Sequence, residues 1–210
     1  MTAMESWLTR LQTALDPTDE QWGASARGGR DSAVLALLSL APDPDVVVTV
    51  RASGLRHHGG QLSFPGGGRE PGDASPTQTA LREACEEVGL PPGEVSPLGQ
   101  MHTRDLPVSS NRVIPIVGTW TGRTGLTAHD PAEVDSVVRW RMGELADPAH
   151  RVMARHPRGG QGPAWDMGEL FLWGFTAKLM DVLLELGGWE REWDTSRVVD
   201  VPRRFLSDRR

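Results

Sequence analysis

The sequence predicts an α/β sandwich, a mixed β-sheet with helices on either side. Three observations lead to that class. Apolar runs of strand length, such as Ala33–Leu38 and Val46–Val50, are set off by proline and glycine breaks. Longer segments with apolar residues at helical spacing lie between and after them. A chain of 210 residues with 38% hydrophobic and 24% charged content suits a single globular domain able to bury most of its apolar surface. One domain is therefore expected over 1–210, with a helical N-terminal extension at about 1–30 and a charged tail at about 190–210.

In chain order, Trp7, Leu8, Leu11 and Leu15 predict an amphipathic helix over 5–15, ended by Asp16-Pro17. After a polar, glycine-rich stretch, 33–38 and 46–50 read as buried strands separated by Pro42-Asp43-Pro44. The chain from Gly54 to Asp73 is dense in glycine and proline, with one short strand at 61–64 before the turn Gly66-Gly67-Gly68. A helix follows at about 76–88. Ser75 and Gln78 have capping-box spacing, Pro76 suits the first helical position, and Gly89 suits the stop. Strands are expected near 95–102, 113–120 and 134–140, and 156–164 reads as a surface loop. A long helix over 170–186 carries Leu172, Phe175, Leu179, Val182, Leu183 and Leu186 on one face. The charged tail beyond Trp189 reads as partly disordered.

Composition removes several function classes. A net charge of −6 gives no general attraction to nucleic acid, so an anionic substrate must meet positive charge from another source. The single cysteine, Cys85, can form no internal disulfide. There is no signal-like N-terminus and no apolar run of membrane-spanning length, so no membrane partner and a cytoplasmic location are expected. The only lysine is Lys178, which excludes a Walker loop with its Gly-Lys-Ser/Thr ending. His57, His58, His102 and Cys85 lack recognisable zinc spacing, and Cys85 falls on the buried side of its helix.

That helix holds the chemistry. At about 100° per residue, Leu81, Ala84, Cys85 and Val88 share one side while Glu83, Glu86 and Glu87 cluster opposite. Like charges three and four residues apart repel, and a hard divalent cation removes that penalty. Mg²⁺ takes oxygen ligands, using one or two carboxylates together with substrate phosphates and water. A solvated acidic face is the bland reading of any glutamate pair. Here the glycine triplet just upstream, where backbone can approach an anion, favours Glu83, Glu86 and Glu87 as metal ligands beside phosphate-binding Gly66 and Gly67.

Gly67 through Leu90, with the core Arg82-Glu83-Ala84-x-Glu86-Glu87-x-Gly89-Leu90, resembles the Nudix box. Ala74 stands where that box usually has a glutamate, and Asp73 lies one position earlier. Leu55-Arg56-His57-His58-Gly59-Gly60-Gln61-Leu62-Ser63-Phe64-Pro65-Gly66-Gly67, followed by Pro71-Gly72-Asp73, resembles the signature of the coenzyme A pyrophosphatase branch, where the shifted acid is normal. Ile114–Gly118, His129–Val134 and Trp173–Ala177 extend the similarity over about 33–187.

The resemblance implies a Nudix-type α/β/α sandwich and an Mg²⁺-dependent (or Mn²⁺-dependent) pyrophosphohydrolase. It would cleave coenzyme A or acyl-coenzyme A to 3′,5′-ADP and the 4′-phosphopantetheine. It places Glu83, Glu86 and Glu87 at the metal, and offers one of them or Glu133 as general base. Arg82 is read as a structural partner of a neighbouring carboxylate, and Arg56, His58 and Gln61 as substrate-side residues. A homodimer is a family-level expectation. Competing readings are a Nudix hydrolase of ADP-ribose, dinucleotide coenzymes or nucleoside triphosphates, and a non-catalytic nucleotide-binding regulator. Retention of all three glutamates speaks against the regulator.

Overall fold

The computed structural model describes residues 3–16, 22, 30–55, 58–101, 104–106, 111–156 and 159–206. Among them, no helix is long and apolar enough to cross a membrane. Helix α1 (Ala3–Ala14) precedes strands β1 (Asp31–Ser39), β2 (Asp45–Arg51), β3 (Leu62–Ser63) and β4 (Gly66–Gly68). Helix α2 (Pro76–Val88) leads to β5 (Val95–Gln100), β6 (Arg104–Leu106), β7 (Asn111–Trp120) and β8 (Val134–Arg141). After the one-turn helix α3 (Met142–Leu145) come β9 (Arg151–Arg155), β10 (Gln161–Met167), β11 (Leu170–Leu172), helix α4 (Gly174–Gly187) and β12 (Val198–Asp200).

Strands β1 to β8 form a mixed sheet. β1 runs parallel to β7, Asp31 opposite Arg112 through Ser39 opposite Trp120, whereas β2 is antiparallel to β8 and β3. The centre of β1, Ala33–Leu38, is apolar because both its faces are covered. Ala36 and Leu38 pack with Trp7 and Leu11 of α1 and Leu179 and Leu183 of α4. Ala33, Leu35 and Leu37 alternate to the other face and meet Ala80, Ala84 and Val88 of α2. Helices on both faces of a mixed sheet are the expected sandwich.

Four expectations need correction. The glycine triplet is not a turn: β4 pairs antiparallel with β1, with Val34 opposite Gly66 and Ser32 opposite Gly68. The segment read as a surface loop at 156–164 is in part a strand, since β10 starts at Gln161 and pairs with β9. The helix expected over 170–186 starts only at Gly174, at φ 73°, because Leu170–Leu172 pair with β10 as an edge strand. The tail, expected to be partly disordered, carries regular structure in its described part: β12 pairs with β9, and Val201 and Phe205 are buried.

β9 to β12 form a second, four-stranded sheet. It carries a buried cation. Arg151, 1% exposed, lies between the rings of Trp165 and Trp193, each centroid 4.4 Å from its guanidinium carbon, and its Nη2 donates to Asp181. Asp181→Ala is expected to lower the unfolding free energy by about 1.5–3 kcal/mol, the range for hydrogen bonds to charged groups. Urea unfolding followed by tryptophan fluorescence measures it, and an unchanged midpoint would show that the two rings alone hold the arginine.

Candidate active site

Helix α2 begins and ends as its sequence dictates. Ser75 Oγ accepts from Gln78 N at 3.3 Å, Pro76 occupies the first turn, and Gly89 closes the helix at φ 70°. The return half of the box reaches one residue further out than expected, with Gln78 Oε1 accepting from Ala74 N at 2.8 Å.

The helix is rolled relative to the expected orientation. Its buried side chains are Pro76, Thr79, Ala80, Ala84, Glu87 and Val88, while Cys85, expected on the core side, is exposed. Helical geometry explains this: position 87 is only about 20° from position 80, so a stripe through 80, 84 and 88 takes position 87 with it. Glu87 is consequently 3% exposed, and its Oε2 accepts from Gly66 N at 3.1 Å. Glu83, 13% exposed, lies across Gly67, where a β-carbon would come within 2.5 Å of its Oε1. A β-carbon on Gly66 would strike the β1 backbone, 2.4 Å from the Ala33 carbonyl oxygen. Glycine is required at position 66, where β4 passes the β1 backbone, and at position 67 it leaves room for the Glu83 carboxylate. The Gly66 N–H thus serves a carboxylate, where the turn reading had it free for phosphate.

The three glutamates do not converge. Among the described residues no group of three His, Cys, Asp or Glu side chains is arranged to hold a metal ion. Glu86 is 57% exposed and its Oε2 accepts from Arg82 Nη1 at 3.0 Å. Position 86 lies about 100° around the helix from 87, with 83 between them, so β4 can lie against only two of the three. What remains is the pair Glu83 and Glu87, one helical turn apart and both against β4. Two carboxylates are the number Mg²⁺ takes when water and substrate phosphates supply its other ligands, so this donor set fits the ion.

Electrostatics single out the same pair. Burial pushes the Glu87 carboxyl up to about 7, the nearby charges of Glu83 and Glu133 push the same way, and the Gly66 N–H and the Arg51 charge oppose them. Burial also raises Glu83; its pairing with Arg82 opposes the shift, and the charges of Glu86 and Glu133 add to it. Burial thus holds both carboxyls above their ordinary range, a perturbation that marks candidate functional groups.

Arg82 has the structural part expected of it. It grips Asp73 with Nε and Nη2 at 3.3 and 3.1 Å, donates to the Gly68 carbonyl at 2.8 Å, and pairs with Glu83 at 3.1 Å. Asp73 is buried and also accepts from Glu70 N and Thr79 Oγ1.

Of the other expected site residues, Glu133 is exposed, with its backbone fixed by Ala52 N donating to its carbonyl at 2.8 Å, and its charge reaches both Glu83 and Glu87. His58 and Gln61 face each other, Nδ1 to Oε1 at 3.0 Å, and the Gln61 amide also donates to the Phe205 carbonyl at 2.8 Å. Arg56 lies outside the described residues, as do His57 and His102. Arg51, which the sequence reading passed over, is the cation whose charge acts on Glu87. Its signal was available: it closes a valine-rich strand immediately before the glycine-rich loop.

A carboxylate pair on a capped helix, laid over a glycine strand and braced by an arginine, is a donor set suited to a divalent cation and a phosphate. The NUDIX domain family matches residues 29–157, and the chain belongs to that family of hydrolases. It is 34% identical over 193 residues to a Photorhabdus laumondii protein named "Uncharacterized Nudix hydrolase NudL", covering 88% of this chain and 98% of that one. A protein of the same name from Cronobacter sakazakii is 34% identical over 188 residues, covering 88% and 95%. Among solved structures, the Nudix hydrolase RenU of M. smegmatis superposes with a TM-score of 0.52 at 17% identity, over 80% of this chain and 90% of that one. A NUDIX hydrolase from Nitrosomonas europaea gives a TM-score of 0.52 at 13% identity, over 82% and 80%. Likeness at these identities concerns the fold.

Proposed function

We propose that this Nudix hydrolase cleaves coenzyme A, or acyl-coenzyme A, to 3′,5′-ADP and (acyl-)4′-phosphopantetheine. The observation that carries the reading is the continuity of two segments. The stretch similar to the coenzyme A branch, ending Gln61-Leu62-Ser63-Phe64-Pro65-Gly66-Gly67, runs directly onto the carboxylate pair, where Gly66 N donates to Glu87. A substrate whose pyrophosphate met Glu83 and Glu87 would have its non-reacting part beside that loop.

In the reaction, the oxygen of one water bonds to one phosphorus, and the bridging oxygen leaves with the other phosphate. A bound Mg²⁺ or Mn²⁺ would offset phosphate charge and acidify the attacking water. Glu83 and Glu87 are its proposed ligands, with Glu86, turned about 100° away from Glu87, as a ligand for a second ion. Because burial pushes the Glu87 carboxyl up to about 7, entry of a cation near neutral pH would be coupled to release of its proton. Arg82, anchored on Asp73, fixes the rotamer of Glu83, and Gly66 N fixes Glu87 Oε2. Glu133, exposed yet within electrostatic reach of both, is the candidate general base, with a box glutamate as the other.

Incubating the protein with coenzyme A and Mg²⁺ is expected to release 3′,5′-ADP, resolved by mass spectrometry. Its absence at micromolar enzyme would end the substrate reading. A panel of ADP-ribose, dinucleotide coenzymes and nucleoside triphosphates would then find the anhydride cleaved.

A further inference from the structure

The chain beyond the NUDIX match ends in a segment that comes back to the signature loop. β12 runs parallel to β9, Val198 opposite Met153 and Asp200 opposite Arg155, and then enters the 3₁₀ turn Arg203–Phe205. Two contacts anchor this turn on the second sheet. Phe205, 5% exposed, stacks on Phe171 of β11 with ring centroids 6.2 Å apart. Arg204 Nη2 donates to the carbonyls of Gly168 and Glu169 at 3.3 and 3.2 Å.

The turn's Phe205 carbonyl accepts from Gln61 Nε2 at 2.8 Å, a contact between residues 144 apart in sequence. The other end of the same amide, Oε1, lies 3.0 Å from His58 Nδ1. His58 has a φ of 60°, a conformation that side chains other than glycine rarely adopt, so the loop needs outside contacts to keep it. The base of the loop is tied to the catalytic side. Arg51 N donates to the Gln61 carbonyl and Gly60 N to the Arg51 carbonyl, each at 2.9 Å, and the Arg51 charge acts on Glu87. A continuous set of contacts therefore joins Phe171, Phe205, Gln61, His58 and Arg51. A primary amide suits its middle place, since it offers a donor to the carbonyl and an acceptor to the imidazole.

We propose that the C-terminal turn Arg203–Phe205 is a positioning element of the active site, which holds the loop His58–Gln61 through the Gln61 amide and so sets substrate affinity. This rests on the reading of that loop as substrate-side. A turn that only added stability would leave KM where it is.

Three full-length variants test it: Phe205→Ala, Gln61→Ala and the two combined. In Phe205→Ala, amide hydrogen exchange at Gly59–Gln61 is expected to rise roughly tenfold while that of α2 stays unchanged, since one hydrogen bond's worth of restraint is lost. KM is expected to rise roughly five- to tenfold with kcat within about twofold, the pattern of lost uniform binding. The double variant should be no worse than Gln61→Ala, because both remove one interaction. Phe205→Leu, which keeps an apolar anchor, should return KM close to wild type. If Phe205→Ala does not fold, Arg204→Ala loosens the same turn without emptying the core. Unchanged loop exchange, an unchanged KM, or effects that add in the double variant would overturn the proposal. Exchange needs no substrate, so a wild type inert to coenzyme A would remove the substrate reading while the loop coupling is still decided.

Discussion

Glu87→Gln is expected to abolish turnover and, with divalent cations removed, to make the protein more stable near neutral pH. Both effects come from one buried carboxylate. The folded carboxyl keeps its proton up to about pH 7, whereas an unfolded glutamate releases it near 4.5. The folded state therefore binds more protons through that window, and stability falls as pH rises from about 4.5 to about 7. The loss is at most roughly 3 kcal/mol. Glu83, also raised, acts in the same direction. Asp73 has the opposite sign, but its carboxyl is held below 3.8, so its contribution is lost only in more acidic solution. Glutamine cannot ionise and can still accept from Gly66 N. The variant should therefore exceed wild type by roughly 1–3 kcal/mol near pH 7.5 in chelator, and match it near pH 5. Mg²⁺ should raise the wild-type melting temperature and leave the variant's almost unmoved, because only the native site binds the ion. Activity should drop at least about 10²-fold, as when a group that stabilises transition-state charge is removed. Melts at the two pH values with and without Mg²⁺ decide the matter. A variant less stable at both would mean that burial does not raise the Glu87 carboxyl, and one stabilised by Mg²⁺ as much as wild type would mean that Glu87 is not a metal ligand.

The local signals in this chain were legible and the tertiary ones were not. Helix α2 appears at the bounds its cap and stop residues announce, because Ser75, Pro76 and Gly89 act on the few residues around them. β1 and β2 were likewise written in largely apolar runs, Ala33–Leu38 and Val46–Val50. Cys85 and Glu87 were misplaced for a different reason. Helical periodicity gives relative angles, and the absolute roll came from β4, which offered Glu87 a backbone N–H that no pattern in α2 reveals. The glycine triplet misled similarly, since three glycines read as a turn while the close approach of Glu83 and the pairing with β1 make them a strand. The tail's Val201 and Phe205 are isolated among charges, and only the edge of the second sheet supplies the surface that buries them. That Glu83, Glu86 and Glu87 share one helix face was readable from their spacing, whereas which of them β4 would cover was not.

Asp73→Ala is expected to be among the most damaging single changes outside the carboxylate pair. Its two oxygens accept from Arg82 Nε and Nη2, from Glu70 N and from Thr79 Oγ1, and both Asp73 and Thr79 are buried. Burial alone would raise this carboxyl, and the bonds from Arg82, Glu70 and Thr79 together hold it below its ordinary value, so the charged form is well satisfied. Hydrogen bonding to Asp73 likewise raises the Arg82 guanidinium, with the charge of Glu83 adding to it. Truncation strands a buried hydroxyl and a backbone donor and frees Arg82, at a cost of about 3–5 kcal/mol. A freed Arg82 would also compete for Glu83, so Mg²⁺ affinity should weaken by roughly 10- to 100-fold, as when a group that orients a metal ligand is lost. Moving the acid to the position usual in the Nudix box should not repair this. Ala74 is exposed, and its N–H is already used by Gln78 Oε1. The double variant Asp73→Ala/Ala74→Glu should therefore unfold as early in urea as Asp73→Ala and bind Mg²⁺ as weakly. Recovery of both properties in the double variant would show that either position can anchor Arg82. Recovery of neither, with Asp73→Asn intermediate because it keeps an acceptor without the charge, would fix the anchor at Asp73 and make the shifted acid a requirement of this helix's packing.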